Sequence, residues 1–201
     1  MGQYNSSKTR VEPTFNELLS RQPAWLPDLW RLAVSTRSGG PEPPLTDAPL
    51  LNSKIYERAL PPSMAFLRWM VQNIDKLTPP PAPHFGATPG GVASAKRAHL
   101  FGSHPDLREA ARSEALKEIE AKGGKGSARQ WWAFEGFTHV DACFETEQCL
   151  LLVEGKRTEA VSPSTRWFRS RNQLWRNVEV AGELANGRPF GMLDAAIQRN
   201  V

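Results

Sequence analysis

Three residues carry types and spacing suited to chemistry: Asp141, then Glu154 with Lys156 two positions further on. Two carboxylates and an ammonium make a compact set for holding a hard divalent cation beside a water molecule. Hard cations take carboxylate and carbonyl oxygens, and Mg2+ keeps several waters and completes its shell with substrate phosphate. Phosphodiester hydrolysis is the leading reaction for such a set. The bland alternative for a Glu-x-Lys at a strand end is a solvated ion pair of no chemical consequence.

Two strands must position these groups. The stretches "FTHVDACFE" and "QCLLLVEGK" read as neighbours joined by a polar turn at Thr146-Glu147. With a two-residue turn, Glu145 faces Gln148 and Asp141 faces Leu152. Directly opposed residues in an antiparallel pair point to one side, and side chains alternate along each strand. Leu152, Glu154 and Lys156 then share a side, with Asp141 diagonal to Glu154. A slip of one residue would send Asp141 to the other face.

The flanking segments supply a frame. Ser162-Pro163 offers an N-cap with proline at the first helical position, and Asn186-Gly187 offers a stop. Between them Trp167, Arg171, Leu174, Val178, Ala181 and Ala185 recur at three- and four-residue intervals as a buried stripe. Arg169, Gln173 and Arg176 form a polar stripe beside it, with Asn177 adjacent. "RPFGMLDAAI" then returns as a strand. Upstream, "SHPDLREAARSEALKEIEAKGG" reads as a helix, with Asp106 and Glu109 as an acidic capping box and Gly123-Gly124 as its end. "QWWAF", a Glu135-Gly136 turn and "FTHVDACF" read as a hairpin.

In this order of helix, three antiparallel strands, helix and strand, the chain resembles the PD-(D/E)XK, or restriction-endonuclease-like, nuclease superfamily. The family pattern of an Asp, a variable gap and (D/E)-x-K is met by Asp141, Glu154 and Lys156. The resemblance runs from near Pro105 onward and implies an α/β (α+β) fold with an αβββαβ core. It implies Mg2+ or Mn2+ held by Asp141, Glu154 and the backbone carbonyl of Gly155, with Lys156 orienting the attacking water and steadying the developing charge. An ammonium beside two carboxylates stays protonated before substrate arrives, so Lys156 as a literal base is the less favoured version. Gln173 matches the glutamine often found on the second helix. Glu114 or Glu118 on the first helix is a further metal ligand by analogy with some members; an ordinary half-exposed helix glutamate is the alternative for each. Val140 stands where the pattern has proline, and Asn177 where an aromatic is frequent. Many relatives dimerise to cut both strands, so a homodimer is one arrangement the resemblance allows.

Arg157, Arg166, Arg169, Arg171 and Arg176 all fall within 20 residues of Lys156. Arginines beside a metal site can clamp a phosphate backbone, and phosphate contacts dominate nucleic-acid affinity. Arg157, Arg169, Gln173 and Arg176 are the candidate nucleic-acid contacts, with DNA as the expected partner. The alternative is a solvated helix face paired with Glu179 and Glu183. Trp131, Trp132, Trp167 and Trp175 are read as core residues in preference to base-stacking platforms.

Composition bounds the rest. At 201 residues with 40% hydrophobic content, the chain can build a core and holds one domain, or a small domain with an extension. The net charge of +4 permits a polyanionic partner without demanding one. Cys143 and Cys149 read as buried thiols in a reducing compartment, not as a zinc site. No apolar run approaches a membrane span, and the polar start is unlike a secretion signal, so a cytoplasmic location is expected. Residues 1–95 read as a helical, proline-punctuated extension and 96–201 as the nuclease-like core. In the extension, Thr14 and Glu17 read as a capping box, and "NSKIYERALPPSMAFLRWMVQNIDKL" as two helices broken at Pro61-Pro62. The second of these carries a Phe66, Met70 and Ile74 stripe. "TPPPAPHFGATPGG" is a connector. Such an extension can bind a partner, read DNA, or pack on the sheet, and its hydrophobicity favours packing. "GGKGS" follows a helix and lacks the P-loop ending, so it is set aside. The functional readings are therefore a metal-dependent DNase, a nuclease-fold module that binds nucleic acid or a protein without cutting, and a helical interaction protein whose "VEGK" is accidental.

Overall fold

Side-chain alternation along two short strands sets the frame of the first compact unit. In the computed structural model, which describes residues 7–21, 25–34, 50–51, 54–156, 162 and 164–196, the chain is a mixed α/β protein. Its described residues form six α-helices and two small sheets. They divide into two compact units. One is drawn from residues 1–60, 139–161 and 177–201, the other from 61–138 and 162–176.

The first unit is built on a three-stranded sheet. β3 (Ala142–Glu145) pairs antiparallel with β4 (Leu150–Lys156), and β4 pairs parallel with β5 (Phe190–Ala196). The parallel pair needs a crossover, and α6 (Gln173–Ala185) supplies it. Odd positions of β4 and even positions of β3 pack on the helices α1 (Glu12–Arg21) and α2 (Leu26–Val34). There Phe15, Trp25, Trp30 and Val11 meet Ala142, Phe144, Leu151 and Val153. Phe15 and Trp25 each meet the Phe144 ring edge-on, at 4.9 and 5.3 Å between centroids. The opposite face carries Cys143, Leu150 and Leu152 against Val180, Ala181 and Ala185 of α6. The early helices thus cover one face of the sheet, as their hydrophobicity favours. Asn16 fixes the chain leading to β1 (Arg58–Leu60), its amide bonding both the N–H and the carbonyl of Ile55 at 2.9 and 2.8 Å. β1 pairs with β2 (Thr138–Val140) in the smaller sheet.

The second unit has an aromatic core. It contains α3 (Met64–Gln72), α4 (Val92–Phe101) and α5 (Pro105–Lys122). Ser63 caps α3, its hydroxyl accepting the Phe66 N–H at 3.2 Å. Leu67, Met70, Val71, Ala111, Ala115, Ile119, Trp131, Trp132, Phe134 and Trp167 are buried together.

Several expected elements differ. The connection between β3 and β4 spans four residues, so Glu145 pairs with Leu150 instead of facing Gln148. The Thr146 hydroxyl accepts the N–H groups of Gln148 and Cys149 at 3.1 and 2.9 Å, which favours the longer loop. "QWWAF" forms turns, not a strand, and the strand expected over "FTHVDACFE" is interrupted at Asp141. α6 begins at Gln173, with the Asn172 side chain accepting the Trp175 N–H at 2.9 Å, and not at Ser162-Pro163; Pro163 lies outside the described residues. Thr165 hydrogen-bonds the N–H and carbonyl of Phe168 and holds the preceding segment in a turn. The buried stripe of α6 is Asn177, Val180, Ala181 and Ala185, so Ala181 and Ala185 fall as expected while Leu174 and Val178 are only half-buried. Asp106 lies inside α5, whose cap position is His104, and Leu107 is 42% exposed. Thr14 likewise lies inside α1. Residues 58–60 form a strand where a helix was expected, and α4 was not anticipated.

Candidate active site

The site is built where β3 meets the bend before it. Ala142 pairs with Val153 as the last rung of the ladder, and Asp141 precedes it. The expected register is displaced by two residues. Because side chains alternate with period two, a shift of two preserves the face of each paired residue. Asp141 has left the ladder at a bend, and its Oδ2 accepts the Gly155 N–H at 2.8 Å. The aspartate is thereby docked onto the strand that carries Glu154 and Lys156. Asp141 and Glu154 are both buried, at 8% and 3% exposure.

Gly155 has a packing reason to be glycine. A Cβ built there would lie 2.7 Å from Val11 Cγ2 and 3.4 Å from Asp141 Oδ2. Lys156 occupies the last position of β4, opposite Ala196. One acidic residue was missed by sequence reasoning: Asp194 of β5 is the register partner of Glu154. It sits in an apolar stretch with nothing nearby to mark it, and only the parallel pairing brings it beside the site. Asn177 is a second. It is fully buried on the stripe by which α6 packs on the sheet, one turn before Val180 and Ala181. A lone amide inside an apolar i, i+3, i+4 stripe was the available signal.

The remaining candidates have other placements. In the second unit, Glu118 accepts hydrogen bonds from Trp131 Nε1 at 3.1 Å and Trp132 Nε1 at 2.9 Å. It also pairs with Lys96 and Lys122. Burial pushes its carboxyl up, but hydrogen bonds from Lys122, Trp131 and Trp132 outweigh this and hold it at about 2. Glu114 pairs with Lys96 at 2.7 Å. Arg176 and the buried Arg171 converge on buried Glu135, with Arg171 bonding both carboxylate oxygens at 2.6 and 3.1 Å. Arg169 is exposed in a turn and Gln173 is half-buried at the start of α6. Arg157 lies outside the described residues. Trp131, Trp132 and Trp167 are core residues, whereas Trp175 is 59% exposed.

Back in the first unit, Glu145 is clamped by Arg188 and Arg58 and is held below the usual carboxylate range, chiefly by the Arg188 hydrogen bond. Cys143 and Cys149 are buried thiols outside any disulfide, and burial pushes both up.

Among the described residues no group of three His, Cys, Asp or Glu side chains converges as a metal cage. Nor is any helix there long and apolar enough to cross a membrane. The chain matches no protein-family model, no curated protein and no solved structure.

Proposed function

We propose that the protein is a metal-dependent nuclease of the PD-(D/E)XK type that hydrolyses phosphodiester bonds in DNA. The observation that carries this reading is the Asp141–Gly155 hydrogen bond, which fastens a buried carboxylate onto the strand of buried Glu154, two residues before Lys156. The parallel β4–β5 pair with its α6 crossover also supports it.

The donor set fits a hard cation. A carboxylate has about four lone-pair positions, and the Gly155 N–H takes one of those on Asp141. Mg2+ is commonly bound through one or two carboxylates, its other positions filled by water and substrate phosphate. Asp141, Glu154 and the Gly155 carbonyl would hold Mg2+ or Mn2+. When bound, such an ion supplies a water of lowered pKa and a polarised phosphoryl oxygen. Lys156 would orient the attacking water and balance charge growing on the phosphate.

A second reading is a nuclease-fold module that binds nucleic acid or a protein without cutting. It is favoured by the same hydrogen bond, read as a strut that closes the end of the β3–β4 ladder. Cleavage of single- and double-stranded DNA with Mg2+ or Mn2+ separates the two. Wild-type activity should fall by about a hundredfold or more in both Asp141→Ala and Lys156→Ala. DNA binding without cleavage would select the module, and cleavage surviving both substitutions would remove the site from consideration.

A further inference from the structure

The second unit contains an arginine whose charge no carboxylate among the described residues answers. Arg97 is nine-tenths buried on α4, a costly place for a guanidinium. Its Nε donates to the Trp131 carbonyl at 2.7 Å and its Nη1 to the Phe85 carbonyl at 3.1 Å. Its other N–H groups have no acceptor among the described residues. The guanidinium lies over the rings of Trp167 and Phe134, at 5.2 and 5.6 Å from their centroids.

A second guanidinium stands nearby. Gly86 follows Phe85, and a Cβ built on it would lie 3.2 Å from Arg166 Nη2. Burial first, and then this neighbouring cation, hold Arg97 below its usual value. A buried guanidinium with a second, exposed one beside it points to a counter-ion that the described residues do not provide.

A cleft adjoins them. It has a volume of about 300 Å³, and Arg97, Gly86, Arg129, Gln130, Trp131 and Ala93 are among its lining residues. Arg129 has no ion pair with a described residue, and its φ is +63°, unusual for a residue other than glycine, asparagine or aspartate. The one acid in the wall, Glu135, is already engaged by Arg171 and Arg176.

We propose that this cleft binds a phosphomonoester, with Arg97 and Arg129 of the lining taking the phosphate oxygens, Arg166 beside Gly86 adding positive charge behind the wall, and the wall around Trp131 and Ala93 receiving the attached organic group. Planar guanidinium forks match phosphate oxygens two at a time, and several of them suit a dianion better than a single carboxylate. The volume lies at the lower end of small-ligand clefts, roughly 300–1000 Å³. That leaves room for more than a bare ion. The site is assigned from residues of the second unit alone and does not depend on the metal-dependent reading.

The test uses the full chain in a metal-free, EDTA-containing buffer at fixed ionic strength. Thermal shift and calorimetry compare inorganic phosphate, adenosine monophosphate and adenosine. They also compare a short DNA carrying a 5′-phosphate with the same strand carrying a 5′-hydroxyl. The monophosphate should bind and adenosine should not. The double variant Arg129→Gln, Arg166→Gln, which changes two exposed side chains, should weaken binding by about 10- to 100-fold with the ligand-free melting temperature unchanged. A phosphorylated strand that binds more tightly than the mononucleotide identifies a nucleic-acid end as the source of the phosphate. Equal or weaker binding identifies a small phosphomonoester. Monophosphate binding no tighter than adenosine, or unaltered in the double variant, overturns the proposal.

Discussion

At the residue scale, Asp141 combines two duties that substitution can separate. Its Oδ2 accepts the Gly155 N–H, and its charge is needed for a cation. An asparagine keeps an acceptor of the same shape and loses the charge. Asp141→Asn should therefore stay within about 1 kcal/mol of wild type in urea unfolding while losing metal-dependent cleavage. Asp141→Ala removes the acceptor as well and should cost about 1–2 kcal/mol. Equal destabilisation by both would mean that the charge, not the hydrogen bond, secures the strand end. The sidedness of the β3–β4 pair was legible in the sequence, because sidedness in a strand depends only on parity. The loop after Glu145 is two residues longer than the sequence suggests, yet the paired residues Ala142 to Glu145 keep the sides expected of them. Asp194 was not legible: a residue's neighbour across a parallel pair depends on how the crossover returns, which no local pattern encodes.

At the scale of elements, the contact between Val11 and Gly155 ties the start of α1 to β4. Gly155→Ala would place a methyl 2.7 Å from a stiff β-branched side chain and should destabilise the fold by about 1–3 kcal/mol. Combining it with Val11→Ala should recover part of that loss, so that a double-mutant cycle shows favourable coupling. Independent effects would exclude the contact as the source of the strain. The elements that escaped the sequence did so for physical reasons. The buried positions of α4 are Ser94, Arg97 and Leu100, so a search for apolar spacing sees no helix there. "QWWAF" has strand-forming residues, but the Trp131 and Trp132 indoles turn to Glu118 and the Trp131 carbonyl to Arg97. Tertiary hydrogen bonding decided that segment against its propensity.

At the scale of the whole molecule, the second unit hangs a pH response on Glu118. Its carboxyl lies at about 2 in the folded protein, below the ordinary value of 4.5. A depressed folded value means that the stabilisation is present above the unfolded value and is lost as pH falls through the folded one. Glu118→Gln should thus be less stable than wild type near neutral pH by roughly 1–3 kcal/mol. The gap should close as pH is lowered from about 5 towards 2. A gap that is constant across this range, followed by thermal unfolding, would remove Glu118 from the acid response.

The division into two units also bears on the order in which the chain is made. Every segment of the second unit has been synthesised once Arg176 is added, whereas the first unit still lacks β5, the last strand of the described chain. Chains grow at about 5–20 residues per second, and completed domains generally fold as units. The segments of the aromatic core are thus all made while β4 still lacks its parallel neighbour. The sheet edge beside Glu154 is closed only when β5 has followed, so the candidate site is completed after every segment of the aromatic core has been made.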